Sequence, residues 1–435
     1  MSKDLALIAK KHLIRYGGEP IEGIFVKAQG ASVWDVDGRE VLDFTSGQMC
    51  ATIGHNHPAI VEAIRKSTAD AIHLFSGMIP DSVAMLAKRL AKILPFPLTR
   101  SLFVNTGSES NEAAIRIAKL ASRGFEVVAL GGSWHGVTGL SSSVSFASDR
   151  HGYGPTVPGV FVLPEPNAYR CPVEHCKSIC DRTCLRVGLR LFDMQSTGAA
   201  AAVIAEPVLS AGGVIVPPEG YFKELKDACR ERGMKLIFDE AQTAFGRIGS
   251  WTAAEKIGVT PDIMTVSKTL GGGVPLAATV TSDDIEKKAH EAGFSFYTSH
   301  VSDPMPAAVG LAVIDVIEKE NLQKRAMEQG SYLRRQLEIL ADRHEVIGDI
   351  RGDGLLIGVE LVKDRESRLP HHKLGALTTR RCLDLGLSMN IRRRPERGSV
   401  WRIAPPITVK REEIDRAITI LDQSLSETLE NLTEL

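Results

Sequence analysis

Two polar side chains stand where short apolar runs end, and their types suit chemistry on an aldehyde cofactor. Asp239 follows the run Leu236–Phe238, and Lys268 lies just beyond the run Ile263–Val266. A lysine amine can form a Schiff base with the aldehyde of pyridoxal 5'-phosphate (PLP), and an aspartate can hold a proton on its ring nitrogen. Either residue alone is commonly structural. Together they predict a PLP enzyme in which Lys268 binds the cofactor.

A turn of small residues supplies a candidate phosphate site. Thr106, Gly107 and Ser108 separate the apolar run Ser101–Val104 from a helix-period stretch. The first turn of a helix presents free backbone N–H groups and the positive end of the helix dipole, and both suit a phosphate. The alternative is that Ser108 only caps the helix and that Glu109 is a first-turn acid.

An aromatic residue lies in a similar position. Trp134 is part of GGSWHGVTG, directly after the apolar run Val127–Leu130. Because ligands of parallel sheets bind beyond the strand ends, Trp134 is predicted to stack on the cofactor ring. A buried core tryptophan is the alternative. His135 and Gln242 are predicted polar neighbours of the ring, and a hydrogen-bonded core histidine is nearly as good an interpretation of His135.

One arginine interrupts an apolar segment near the end of the chain. Arg402 lies within VWRIAPPIT, and a buried guanidinium needs an anionic partner. That partner is either a substrate carboxylate, bound in a bidentate manner, or the acid of a structural salt bridge. The turn forced by the two prolines favours the substrate. The run Arg392–Arg394 is interpreted instead as a solvated turn.

The order of apolar runs predicts how these residues are positioned. The runs alternate with helix-period stretches such as Glu112–Leu120 and Phe222–Arg232. This alternation is typical of an α/β fold with a mostly parallel central sheet covered by helices on both faces. The predicted strands are Ser101–Val104, Val127–Leu130, Ala202–Ile204, Leu236–Phe238 and Ile263–Val266.

Both ends of the chain differ from this pattern. Residues 25–44 indicate short strands around a turn at Asp37-Gly38. Beyond about residue 310, a long helical stretch precedes two strand regions, Gly348–Val362 and Val400–Ile403, and a closing amphipathic helix. We therefore predict a smaller α+β domain built from both chain ends. The predicted units are an N-terminal segment (1–45), a large PLP-binding domain (46–310) and a C-terminal small domain (311–435).

The composition favours a small-molecule partner. The 435 residues carry a formal net charge of −1, so no global field attracts nucleic acid or an anionic membrane. No apolar stretch approaches the roughly 20 residues that span a bilayer, and the first residues lack a secretory pattern. A cytoplasmic location is therefore expected. A protein-binding scaffold is also compatible with this composition.

Four of the seven cysteines crowd one stretch of the chain. They are Cys171, Cys176, Cys180 and Cys184, with His175 among them. Such ligands can hold zinc, although the spacing differs from that of a standard zinc knuckle. Reduced thiols are the favoured alternative. A secreted disulfide scaffold would be shorter and denser, so the sequence indicates a reducing compartment.

With these residues in place, the sequence resembles the class III, fold type I, PLP-dependent aminotransferases over nearly the whole chain. The segments NTGSESNEAAIR, FDEAQTAFGR and SKTLGGGVPLAA carry this resemblance. Within the class, Gln48 in FTSGQM and the stretch YTSHVSDP resemble the 2,2-dialkylglycine decarboxylase branch. The resemblance implies a homodimer, often paired into a homotetramer, with active sites shared between subunits.

The resemblance also implies a role for each candidate residue. Gly107 and Ser108 would bind the phosphate, joined by Ser299 of the partner subunit. The other implied roles are Schiff-base formation and proton transfer (Lys268), a bond to the pyridinium nitrogen (Asp239), stacking on the ring (Trp134), contact with the 3' oxygen (Gln242), binding of a substrate carboxylate (Arg402) and contact with the carboxylate that leaves (Gln48).

A cation site is implied as well. The decarboxylase branch carries an alkali cation, K⁺ or Na⁺, near its active site, and oxygen donors suit such a hard ion. The matching residues are Leu74, Ser76, Ser299, Val301 and Asp303. An interpretation of similar weight makes Asp303 the N-cap of a helix that begins at Pro304.

Three residues depart from the decarboxylase pattern. Ala211 replaces a serine that helps to bind the substrate carboxylate, Val137 replaces a methionine of the alkyl pocket, and Ser299 replaces a threonine. The expected function is PLP-dependent transamination coupled to decarboxylation. A 2,2-dialkylglycine such as 2-aminoisobutyrate or isovaline gives CO₂ and a ketone, and the amine passes to pyruvate or a similar 2-oxo acid. The alternatives are an ordinary ω-amino acid or amine:pyruvate aminotransferase and a non-catalytic PLP-binding protein.

Overall fold

The computed structural model covers most of the chain. It describes residues 2–17, 21, 23–147, 150, 152, 154–173, 176, 180–394 and 398–433. Over these residues no helix combines the length and the apolar character that crossing a bilayer demands.

The described residues form strands throughout the chain. In chain order these are β1 (Phe25–Gln29), β2 (Ser32–Asp35), β3 (Glu40–Asp43), β4 (Arg100–Val104), β5 (Glu126–Leu130), β6 (Val160–Leu163), β7 (Ala200–Ala205), β8 (Lys235–Asp239), β9 (Ile263–Val266), β10 (Ala277–Thr281), β11 (Ile347–Asp353), β12 (Leu356–Leu361), β13 (Leu387–Ser388), β14 (Asn390–Arg394) and β15 (Gly398–Ile403).

Helices separate most of these strands. They are α1 (Ser2–His12), α2 (Ser46–Met49), α3 (Pro58–Asp70), α4 (Asp81–Ile93), α5 (Gly107–Ser122), α6 (Gly139–Ser143), α7 (Thr183–Gln195), α8 (Tyr221–Glu231), α9 (Ala253–Ile257), α10 (Asp283–Glu291), α11 (Pro304–Lys319), α12 (Leu322–Arg343), α13 (His372–Asp384) and α14 (Arg411–Thr433).

The largest sheet has the strand order β4-β10-β9-β8-β7-β5-β6. Neighbouring strands from β9 to β6 pair in parallel. Only β10 is antiparallel to its neighbours, β4 and β9. All five predicted strands belong to this sheet, and the two predicted helical stretches lie in α5 and α8. The expectation of an α/β fold with a mostly parallel sheet is therefore confirmed.

Two strands of this sheet, β6 and β10, were missed in the sequence. The sequence of β10 is AATVT, and alanine is depleted in strands. Hydrogen bonds to strands on both sides hold β10 in place. Its assignment thus depends on neighbours that are distant in sequence rather than on its own composition.

Helices cover both faces of the central sheet. Val127 of β5 packs in an apolar cluster with Ile115 of α5. The next residue, Val128, belongs to the main core together with Leu185 of α7. Because consecutive strand residues point to opposite faces, burial of both means that each face is covered.

Two smaller sheets lie at the chain ends. One joins β1, β2 and β3 to β13, which pairs in parallel with β3, and the other has the order β11-β12-β15-β14. The turn predicted at Asp37-Gly38 is confirmed between β2 and β3, where Gly38 has a φ of 84°. The β3–β13 pairing joins the two chain ends. The predicted domain boundaries near residues 45 and 310 stay predictions.

Candidate active site

A cavity of about 300 Å³ lies at the carboxyl ends of the central strands. Residues that follow β4, β5, β8 and β9 form its wall, as expected for ligand sites of parallel sheets. The sequence-predicted residues that line it are Thr106, Gly107, Ser108, Trp134, His135, Asp239 and Lys268.

Asp239 is the last residue of β8, and its side chain is buried. Its Oδ2 accepts a hydrogen bond from Asn111 Nδ2 at 2.8 Å and lies 2.9 Å from His135 Nδ1. Burial by itself acts to raise the pKa of Asp239. The hydrogen bond with His135, aided by the charges of His135 and Lys268, outweighs burial and holds the pKa below its ordinary value. The carboxylate is therefore ionised and able to hold a proton on a ring nitrogen.

His135 is a buried histidine with one side chain partner. Its Nδ1 lies against Asp239, so this nitrogen donates, whereas its buried Nε2 has no partner among the described residues. The interpretation as a hydrogen-bonded core histidine thus accounts for only one of its two nitrogens.

The N-terminus of α5 forms the predicted phosphate site. Thr106 is the N-cap, and its Oγ1 accepts from the Glu109 N–H at 3.2 Å while Glu109 Oε2 accepts from the Thr106 N–H at 2.9 Å. Glu109 is a first-turn acid, but the alternative in which Ser108 caps the helix is wrong. Gly107 and Ser108 are the first two helical residues, and the capping box leaves their N–H groups free for an anion.

Lys268 has an unusual backbone conformation. It begins a short 3₁₀ turn, Lys268–Gly271, with a φ of 48°. Residues other than glycine rarely adopt this left-handed conformation, and where they do the strain is often part of a functional site. The surrounding strand end and turn therefore fix the backbone from which the Lys268 side chain extends.

The residues around this cavity fit PLP. A lysine amine, an ionised buried carboxylate and a free helix N-terminus match its aldehyde, ring nitrogen and phosphate. Trp134 lines the same cavity and offers an aromatic face.

A second cavity of about 120 Å³ shares Trp134 and Lys268 with the first. Gln48 and Arg402, two residues predicted to contact substrate, meet there. The remaining lining residues are Met49, Ala211, Gln242 and Arg392. Gln242 thus lies with the substrate residues, while its predicted contact with the cofactor stays a prediction.

The Arg402 guanidinium is buried with unused donors. Its Nη1 donates to Gln242 Oε1 at 3.4 Å, and its Nε has no partner within the described residues. Among the described residues, no carboxylate forms a salt bridge with Arg402. The interpretation of Arg402 as part of a structural salt bridge is therefore wrong. Burial, and next the charge of Arg392, lowers the pKa of Arg402 to about 10.

The interpretation of Arg392–Arg394 as a solvated turn is wrong. These residues end strand β14, whose side chains alternate between faces. Arg392 lines the small cavity and donates its Nε to the Ala211 carbonyl at 3.0 Å. Arg394 is buried and lies 2.7 Å from Glu165. Only Arg393 is exposed.

Two other predicted residues lie outside the small cavity. Val137 is 71% exposed and lines a third cavity, of about 200 Å³, together with Trp134. Ser299 is exposed, which is compatible with the predicted contact to a neighbouring subunit. The roles of both residues stay predictions.

Asp303, one residue of the predicted alkali-cation site, forms an unexpected cluster with two histidines. Asp303 Oδ1 lies 2.6 Å from His73 Nδ1, and Oδ2 lies 2.7 Å from His300 Nδ1. Asp303 is the N-cap residue of α11, as the alternative predicted, but its side chain makes no capping hydrogen bond. Leu74, Ser76 and Val301 adjoin these residues in sequence.

The cysteine stretch is gathered in space. Cys176 forms side-chain hydrogen bonds with Cys171 and Cys180, and the seven cysteines are free thiols. Cys184 is buried at the start of α7, and His175 lies outside the described residues. Zinc binding and reduced thiols both stay predictions.

Besides Arg392, two further residues near the site were missed in the sequence. Glu206 directly follows β7, and its Oε1 accepts from the Trp134 N–H at 2.7 Å. The same strand-end rule that located Asp239 would have located Glu206. Asn111 lies on the buried side of α5 and donates a hydrogen bond to Asp239. In the sequence, Asn111 could have been found only as a polar residue among the apolar positions of that helix.

Comparison with known proteins agrees with this geometry. The family model described as aminotransferase class-III matches residues 15–425. The chain belongs to the class-III aminotransferases. As a class-III aminotransferase it is a PLP-dependent enzyme that acts on amino acids and 2-oxo acids, and the predicted family and fold type are confirmed.

Its relatives span several activities. An uncharacterised aminotransferase of Schizosaccharomyces pombe is 47% identical, over 96% of this chain and 94% of the relative. The leucine/methionine racemase of Thermococcus litoralis is 34% identical, over 93% and 90%. Among solved structures, an (S)-enantioselective ω-transaminase from Thermomicrobium roseum has a TM-score of 0.87 at 30% identity, over 98% and 99%.

Proposed function

We propose that this class-III aminotransferase couples decarboxylation to transamination. A 2,2-dialkylglycine, such as 2-aminoisobutyrate or isovaline, loses CO₂ and leaves as a ketone, and its amine passes to pyruvate or a similar 2-oxo acid. Bound PLP supplies the electron sink for this chemistry. The observation that carries the proposal is the cavity of about 120 Å³ in which Gln48 and Arg402 meet Lys268.

Gln48 acts before CO₂ is lost, and Lys268 acts after it. A 2,2-dialkylglycine has no hydrogen on its α-carbon, so the carboxylate is the group that can leave. The Gln48 amide donates to this carboxylate and orients it for loss as CO₂. With the cofactor bound, Lys268 would deliver a proton to its C4' carbon, and a water molecule would then supply the oxygen with which the ketone leaves.

Other residues hold the reacting groups in place. Asp239, kept ionised by its hydrogen bond with His135, retains the proton on the ring nitrogen. Trp134 stacks on the ring and separates it from water. The phosphate is bound by Thr106, Gly107 and Ser108, joined by Ser299 of the partner subunit.

Arg402 binds the carboxylate of the 2-oxo acid that accepts the amine. Its Nε and Nη groups have few protein partners, and a planar guanidinium matches a carboxylate with two parallel hydrogen bonds. Ala211 offers no hydroxyl group to this carboxylate, so the arginine side chains carry more of the binding.

The proposal is tested by measuring CO₂, acetone and alanine formed from 2-aminoisobutyrate and pyruvate. Lys268→Ala abolishes all three products, and borohydride reduction of the wild-type enzyme attaches the cofactor to Lys268. Gln48→Ala slows CO₂ release by roughly 10- to 100-fold, the value of a hydrogen bond to a charged group. It leaves the half-reaction with pyruvate much less affected. Gln29→Ala, a change of an exposed glutamine in β1, is the matched control.

Three outcomes reject this function. Amine transfer from ω-amino acids or simple amines, without CO₂ from any dialkylglycine, identifies an ordinary aminotransferase. Loss of optical purity of L-leucine without a 2-oxo acid indicates racemase activity, the activity named for the Thermococcus litoralis relative. A protein that binds PLP but converts no amine substrate is a non-catalytic PLP-binding protein.

An alkali cation, K⁺ or Na⁺, is a further part of the proposal. Its ligands are Leu74, Ser76, Ser299, Val301 and Asp303. The ion size sets how these oxygen atoms are arranged beside the phosphate-binding Ser299. Activity is therefore expected to differ between potassium, sodium and lithium buffers of equal ionic strength. Equal rates in the three buffers would count against the cation site.

A further inference from the structure

Two guanidinium groups share the cavity of about 120 Å³ that holds Gln48 and Lys268. One belongs to Arg402, the predicted carboxylate ligand. The other belongs to Arg392. Its Nε is anchored on the Ala211 carbonyl at 3.0 Å, and its two Nη groups have no hydrogen-bond partner within the described residues. Both side chains are therefore held in place with donors to spare.

Strand pairing places the two arginines on one face. Strands β14 and β15 are antiparallel, with Asn390 opposite Arg402 and Arg392 opposite Val400. Arg392 and Arg402 are thus diagonal neighbours, whose Cα atoms typically lie about 7–8 Å apart, within reach of long side chains. Arg393 points to the opposite face and is exposed.

The charge of this pair is not balanced by the protein. Arg394, the next arginine on the same face, is bonded to Glu165 and to the Gly212 carbonyl. Glu206 is the acid whose charge reaches both Arg392 and Arg402, and burial raises its own pKa to about 7. Lys268 adds further positive charge to the same cavity. Even without Lys268, the two guanidinium groups face at most one anion, which favours a substrate with two acidic groups.

We infer that Arg392 binds the second carboxylate of a short dicarboxylic 2-oxo acid whose first carboxylate is bound by Arg402. This inference rests on the proposed amino transfer. It narrows the preferred amine acceptor from 2-oxo acids in general to a 2-oxo acid with two carboxylates. The diagonal spacing and the cavity volume of about 120 Å³ restrict the acid to a short chain. A monocarboxylic acid leaves the half-buried Arg392 guanidinium without an anion, which costs binding free energy.

The test uses the holoenzyme and two inert probes, succinate and propionate, which differ by one carboxylate. Their dissociation constants are measured by titration of the cofactor absorbance, and kcat/KM is measured for oxaloacetate and pyruvate. The wild-type enzyme binds succinate at least about tenfold more tightly than propionate. Arg392→Gln removes most of that preference and lowers kcat/KM for oxaloacetate by roughly 10- to 100-fold, while pyruvate changes little. Arg393→Gln, the neighbouring exposed arginine, leaves both ratios unchanged.

Several results overturn the inference. One is a wild-type enzyme without preference for succinate over propionate. Another is an equal loss for both probes in Arg392→Gln, which would place Arg392 on the shared carboxylate. A third is the same effect in the Arg393→Gln control. Probe binding requires neither CO₂ release nor amine transfer, so a failed decarboxylation assay with an intact succinate preference rejects the proposed function alone.

Discussion

At the residue scale, two buried carboxyl groups at strand ends have opposite environments. Asp239 and Glu206 are both buried at strand ends. Asp239 faces His135, Asn111 and the Lys268 charge, so its pKa is held low despite burial. Within the described residues, the Glu206 carboxylate accepts hydrogen bonds from two backbone N–H groups, those of Trp134 and Ser210, and burial has the largest effect on its pKa. The first residue thus keeps its charge, whereas the second is poised to change its charge near neutral pH.

This contrast predicts a pH dependence of stability. Glu206 has a folded-state pKa of about 7, against an ordinary value of 4.5. Between these values the folded chain keeps a proton that the unfolded chain has lost. The Glu206 contribution to the free energy of unfolding therefore falls as pH rises through this window and is level above it.

Glu206→Gln is expected to remove this contribution. Urea unfolding from pH 5 to pH 8 should give a wild-type slope more negative than that of the variant by up to about 1.4 kcal/mol per pH unit. Both proteins retain Glu240, a buried carboxyl whose pKa is also raised to about 7, so its effect cancels in the comparison. Parallel slopes in the two proteins would contradict the assignment.

At the element scale, the loop that carries Gln48 depends on partners far away in sequence. Ser46, Gly47 and Met49 all have positive φ values, a strained backbone that needs support from its surroundings. Arg247 supplies that support. It donates to Ser46 Oγ at 3.1 Å and Thr52 Oγ1 at 2.9 Å, on either side of Gln48, and to the Pro405 carbonyl. Arg247 is therefore a positioning residue for Gln48.

Arg247→Met is expected to disturb this loop. Several buried acceptors lose their donor, so the free energy of unfolding should fall by about 2–5 kcal/mol. Among properly folded molecules, CO₂ release should fall more than the half-reaction with pyruvate. Arg334→Met is the control, because Arg334 also donates to two backbone carbonyls, of Ile350 and Gly352, away from this loop. A similar change of the activity ratio in both variants would exclude a positioning role.

At the scale of the whole molecule, several large apolar side chains are exposed on two neighbouring segments. His73 and His300 meet at Asp303 and so join segment 72–79 to the segment around Tyr297. The exposed apolar residues of these segments are Ile72, Phe75, Met78, Ile79 and Tyr297. A patch of this kind favours contact with another protein surface. We propose a homodimer, or a pair of dimers, in the cytoplasm, with Ser299 near the neighbouring site.

A subunit-mixing experiment tests the shared site. Ser299→Glu should repel the phosphate of PLP, and Lys268→Ala should remove the reacting amine, so each homodimer is inactive. A mixed dimer that combines the two variants contains one intact site if Ser299 serves the neighbouring subunit. Statistical mixing then restores roughly a quarter of wild-type activity. Light scattering of each sample checks the dimer, and no recovery in proven mixed dimers would place Ser299 in its own subunit's site.

The sequence by itself determined the central sheet and the residues at its strand ends. Buried parallel strands appear as short apolar runs, and the residue that follows each run lies at the ligand edge of the sheet. Asp239, Lys268, Trp134 and Thr106 were therefore found from local patterns alone. Glu206 obeys the same rule and was within reach of it.

Only the tertiary structure decided the substrate side of the site. Arg392 joins Arg402 because β14 pairs with β15 in one register, and Asn111 reaches Asp239 because α5 packs across the sheet. Arg247 reaches Ser46 across 201 positions of the chain. A run of arginines has the same composition in a solvated turn and in a strand, and a one-residue change of register would exchange its two faces. Contacts between distant segments fix that register, so no local pattern could reveal it.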